Sequence, residues 1–163
     1  MKIDKTKAKE EFDEFLMAMD DQLEWLQWES ARKGVILDNS IDNPEKIEKL
    51  FDLISKNMNE DEISRLLVVF GRHLGEFVRI NHGGKWVLPL DDAQNINFNV
   101  PVITGHSKVK GLEFAPISVM RAYSIRRKAG TVRQAIKNHI NPEILDLSEE
   151  MAQENAAKRG RKS

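Results

Sequence analysis

Cysteine is missing altogether from this 163-residue chain, tyrosine occurs once, and proline and glycine number only five and nine. Without cysteine there is no disulfide, no thiol nucleophile and no thiolate metal site, and a reducing, cytoplasmic setting suits such a chain. Apolar runs are short: nowhere do about 18 apolar residues follow one another, so no membrane-spanning helix is expected. Residues 1–14 are charged throughout and lack the apolar core of a signal peptide. Catalytic motifs are missing too. There is no G-x-S-x-G elbow, no Walker loop and no G-x-G-x-x-G, and Gly83 and Gly84 are not followed by the helix that a phosphate cradle needs. No cofactor is therefore expected.

What remains is enough chain for one good hydrophobic core. We read residues 1–157 as a single α+β domain and residues 158–163 as a disordered basic tail. The formal charge is −1, but residues 1–70 hold 10 Lys and Arg against 17 Asp and Glu, whereas residues 71–163 hold 15 against 9. Such a chain can neutralise itself across its own halves, stack head to tail, or offer each face to an oppositely charged partner. Self-compensation is the plainest reading and the one we expect.

The stretch 59–105 organises the rest. Asn59 is a good N-cap, Glu60, Asp61 and Glu62 put negative charge on the first turn, and Glu62 stands at the capping-box position. At about 100° per residue, Ile63, Leu66, Leu67, Phe70, Leu74, Phe77 and Val78 share one face, and a narrow polar strip holds Arg65, Arg72, Glu76 and Arg79. This helix, ending at 81–84, should be packed on more than one side. Gly71 and Gly75, one turn apart, let another backbone approach, either in a dimer with a second copy or in ordinary packing within the domain, which we prefer.

Upstream, residues 5–32 read as one long helix with Phe12, Phe15, Leu16, Met19, Leu23 and Leu26 at three- and four-residue steps and Gly34 as its stop. Trp25 and Trp28 fall on the other side, near Met17, and need a second neighbour. Either the sheet half of the domain covers them, our preference because large exposed apolar patches are uncommon, or they meet a partner. Asn43, Pro44 and Glu45 start a helix buried through Ile47, Leu50, Phe51 and Ile54, which forms a hairpin with the central one. Beyond Gly84, residues 85–90 and 96–104 read as strands and 111–115 as a short third, while Pro89 and Pro101, lacking ladder donors, push them toward edges or bulges. Pro116 opens a helix with Val119, Met120 and Tyr123 facing in, Thr131 caps another, and Asn141, Pro142 and Glu143 start a last one over 144–157. The fold class is α+β, helices on one face of a small antiparallel sheet of two to three strands.

Within residues 74–129, the succession of a helix, Gly83, Gly84, Lys85, Trp86 and Val87, a second strand, then Leu112, Glu113, Phe114, Ala115 and Pro116 leading into a helix resembles small bacterial domains of unknown function, some similar to toxin-immunity proteins. The resemblance covers about a third of the chain and brings no catalytic residues with it. It implies a bacterial, cytoplasmic, partner-binding protein.

Candidate chemistry is sparse. His73 and Glu76 share a helix face, with His82 further on, but the H-E-x-x-H spacing of a zinc site is absent, so no metal site is expected. Asp91 and Asp92 form an adjacent carboxylate pair at a turn; with His106 they are the only candidates for catalysis, and turn formation explains the pair more simply. Residues 108–137 carry eight cations against Glu113 alone, among them Arg126, Arg127, Lys128, Arg133 and Lys137. That run is the basis of a nucleic-acid-binding or regulatory alternative using the C-terminal tail as well, although Arg126, Arg127 and Lys128 also sit where a helix C-terminus favours cations. The leading expectation is a non-enzymatic protein-interaction domain, an immunity-type inhibitor in its sharpest form. Asp20, Asp21, Glu24 and Glu29 beside Trp25 and Trp28 would then form the face that meets a basic partner.

Overall fold

A computed structural model describes residues 2–39 and 43–140. Its elements are helices α1 (Lys5–Met17), α2 (Met19–Lys33), α3 (Asn43–Ser55) and α4 (Glu60–His82), strands β1 (Lys85–Val87) and β2 (Val102–Thr104), and helices α5 (Pro116–Arg126) and α6 (Thr131–Ile140). The class is α+β, as the sequence implies. The last helix expected over 144–157 and the tail over 158–163 lie outside the described residues.

The central helix α4 starts as its sequence dictates. The Asn59 side chain accepts the Glu62 N–H at 2.9 Å, and the Glu62 carboxylate accepts the Asn59 N–H at 3.3 Å, a complete capping box. Helices α2, α3 and α5 and strand β2 all pack on α4. Phe70 of α4 meets Phe51 of α3 edge to face, with ring centroids 5.2 Å apart, and Tyr123 of α5 also meets Phe51 edge to face, at 6.0 Å. The two glycines serve packing within the chain. A Cβ at Gly71 would stand 2.4 Å from the Ile117 side chain, and one at Gly75 would stand 2.2 Å from the Trp86 ring. The polar strip needs one correction: Arg72 is buried, with its guanidinium over the Phe15 ring of α1.

The long N-terminal helix is two helices. Ala18 interrupts it in a flattened turn at ψ −2°, yet the Ala18 N–H still reaches the Glu14 carbonyl and the Ala18 carbonyl still accepts from Gln22, both at 3.0 Å. Phe15 of α1 and Met19 of α2 pack together with Ile117, and further along α2 Leu26 belongs to the main core. Leu16, assigned to the buried stripe, lies at the surface. Gly34 ends α2 in the left-handed region, φ 71°, as expected.

The sheet is shorter than its alternating sequence suggests. Only Lys85, Trp86 and Val87 pair with Thr104, Ile103 and Val102. Pro89 and Pro101 both lie just past the Val87–Val102 end of this ladder, and neither can donate to extend it. Between them the chain turns repeatedly: Asn95, Phe98 and Val100 each donate to the carbonyl three residues back, and Asn99 takes a positive φ of 57°. Ile96, at the start of the expected second strand, is 93% exposed. The expected third strand reduces to one bridge, Ile103 with Phe114, because Pro116 begins α5 directly afterwards.

Candidate interaction surface

Helix α2 presents two faces. Leu26 turns inward and is fully buried, while Trp25 is 41% and Trp28 68% exposed, with Met17 also at the surface just upstream. This overturns the expectation that the sheet half covers the tryptophans. The aromatic residue that the sheet contributes is Trp86, which packs against Phe15 and donates its indole N–H to Glu76 at 3.1 Å. Asp20, Asp21 and Glu24 share the α2 surface and are exposed. None of the three has a hydrogen-bond or ion-pair partner among the described residues. Glu29 differs: it is half-buried and bound to Arg32 at 2.9 Å.

Beside this face, α2 and α4 enclose a groove of about 530 Å³ walled by Trp25, Leu66 and Val69 and reached by Gln22, Arg65 and Arg72. Arg72 is only 8% exposed. Its Nε donates to the Phe15 carbonyl at 3.3 Å and its guanidinium carbon stands 4.3 Å over the Phe15 ring. Desolvation lowers the Arg72 pKa, and no carboxylate pairs with it among the described residues.

The basic candidates are divided by the fold. Arg127 donates to Asp52 at 2.8 Å and stacks over Phe51, and Arg133 reaches Glu45 at 2.5 Å, so both are bound to the acidic half. These pairs join the two halves at two points. Arg126, Lys128 and Lys137 remain exposed. Arg126 and Lys128 border a shallow cleft between α5 and α6, and Lys137 borders another with His82.

The histidines and the Asp pair do not converge on a reaction. His73 Nε2 donates to Asn43 Oδ1 at 3.1 Å, and burial pushes the His73 pKa down to about 4. Glu76 is bound by Arg79 and Trp86; burial opposes its charge, but those hydrogen bonds outweigh it and hold its pKa below the ordinary value. Among the described residues no group of three His, Asp or Glu is placed to hold a metal. Asp92 accepts the Gln94 N–H at 2.9 Å, a turn role, and Asp91 is exposed beside it. His106 is buried elsewhere, donating from Nε2 to the His139 carbonyl at 3.0 Å, and its Nδ1 has no partner among the described residues.

Sequence reasoning missed two groups. Arg72 sits in a polar strip by helical period, and its place against Phe15, 57 residues away, is a contact that no local pattern announces. Glu48 is buried in α3 and accepts the Gly130 and Val132 N–H groups, both at 3.0 Å, which caps α6 from a distant helix. No local pattern announces a cap supplied 82 residues away. No protein-family model, no curated protein and no solved structure matches the chain. Among the described residues no helix is long and apolar enough to cross a membrane.

Proposed function

We propose that this chain is a bacterial, cytoplasmic protein-interaction domain, of the immunity type, whose exposed α2 face binds a basic protein partner. One observation carries the reading: two tryptophans stand at the surface among three carboxylates that have no partner among the described residues. Exposed aromatic anchors ringed by charge are the composition of an interface hot spot, and unpaired carboxylates favour encounter with a cationic surface. The resemblance of residues 74–129 to small bacterial domains of unknown function, some similar to toxin-immunity proteins, points the same way. The function lies in that surface and not in a catalytic centre.

The test is recovery of the partner from nuclease-treated host lysate, followed by titration with the double variant Trp25→Ala, Trp28→Ala. The expected loss of affinity is at least about tenfold, with thermal stability within a few degrees of the parent. Unchanged affinity would remove α2 from the interface, and an unfolded variant would make the tryptophans structural. Nucleic acid recovered from untreated lysate only at low salt would transfer the function to Arg126, Lys128 and Lys137.

A further inference from the structure

We infer that the groove between α2 and α4 binds a carboxylate carried on an apolar body, with Arg72 holding the carboxylate and Trp25 and Leu66 flanking the body. The argument starts from Arg72. A guanidinium offers five N–H donors, and here one is given to a backbone carbonyl while the cation rests on a phenyl ring. Burying a cation without a counter-charge is costly, and this one lines an open groove. A planar fork of donors matches a carboxylate in two parallel hydrogen bonds.

The other walls select the ligand. Trp25, Leu66, Val69 and Met58 are apolar, and the volume of about 530 Å³ falls in the range of small-ligand sites. Arg65, two turns before Arg72 on the same helix, adds a second cation at the rim, and it too has no ion-pair partner among the described residues. Glu62 also lines the groove and keeps its charge while accepting the Asn59 N–H, so it offsets one of the two guanidiniums. Arg65 and Arg72 against Glu62 leave one net positive charge in the lining, which a single carboxylate matches and a doubly charged phosphate exceeds among these apolar walls.

The same chemistry has two sources, a free aromatic or aliphatic acid and the C-terminal carboxylate of a polypeptide. The test is calorimetric titration of the full chain with 3-phenylpropionate, with its neutral amide, and with a short peptide ending in Phe, either free or amidated at its C-terminus. The acid is expected to bind at least about tenfold more tightly than the amide. A free peptide that outbinds both its amidated form and the small acid assigns the site to a polypeptide terminus; binding of the small acid alone assigns it to a free metabolite. Arg72→Met, which keeps the stem against Phe15, is expected to abolish the preference for the acid. If that variant fails to fold, the acid and amide comparison in the unaltered protein decides. Equal binding of acid and amide, no binding of either acid up to about 10 mM, or equal competition by inorganic phosphate overturns the assignment. Trp28 lies outside the groove, so Trp28→Ala is expected to leave carboxylate binding unchanged while weakening a protein complex on the outer face of α2. The two readings therefore fail separately.

Discussion

His73 is buried in the middle of α4, and desolvation holds its pKa at about 4 against an ordinary 6.5. The folded-state value lies below the unfolded one, so the unfolded chain takes the proton first as the pH falls. The contribution of the neutral ring is complete above pH 6.5 and is lost as the pH falls toward 4. A shift of this size corresponds to something on the order of 3 kcal/mol. In urea titrations, His73→Leu is expected to be less stable than the parent at pH 7, because Asn43 Oδ1 loses its donor, yet to show a flatter stability profile between pH 7 and pH 4. An unchanged slope would place the acid sensitivity in other groups.

At the scale of elements, α6 owes its start to another helix. Glu48 accepts the Gly130 and Val132 N–H groups of a helix that otherwise buries only Val132 and Ile136. Glu48→Gln replaces one acceptor oxygen by a donor facing an N–H, and is expected to cost about 1–3 kcal/mol. Amide exchange at Gly130 and Val132 should quicken ahead of exchange in α4, and protection equal to the parent's would contradict the capping role. Cooperation over such distance is what a sequence hides. The cap and period of α4 and the proline start of α5 were legible because their causes are local, a side chain meeting its own backbone within a turn. The two strands were legible in place but not in length, since Asn95 and Asn97 fold their amides onto Glu113 and draw the start of the second stretch into turns. Ala18 gave no sign either: nothing in its chemistry breaks a helix, and the backbone bonds on either side of it are kept. In the candidate surface, Trp25 and Trp28 were identified from the sequence but expected under cover, because helical period locates a second apolar face without saying whether anything reaches it.

Across the whole molecule, the acidic and basic halves meet through Asp52 with Arg127 and Glu45 with Arg133, pairs whose side chains remain partly exposed. Such pairs contribute little to stability and act mainly on relative placement. The apolar contacts tie the halves more firmly: Phe15 and Met19 pack with Ile117 of α5, and Trp86 touches both clusters. Thermal unfolding followed by far-ultraviolet circular dichroism and by tryptophan emission is therefore expected to give coincident transitions, and two separated midpoints would show that α1 and α2 melt independently. The contact between Gly75 and Trp86 has a further consequence, for descent. A methyl group at position 75 would occupy the space of the indole ring, while a smaller residue at 86 would leave a void and strip Glu76 of a donor. Neither position can drift alone, so in diverging lineages the two are bound to change together, and that linked pair is a mark by which distant kin of this chain can be recognised.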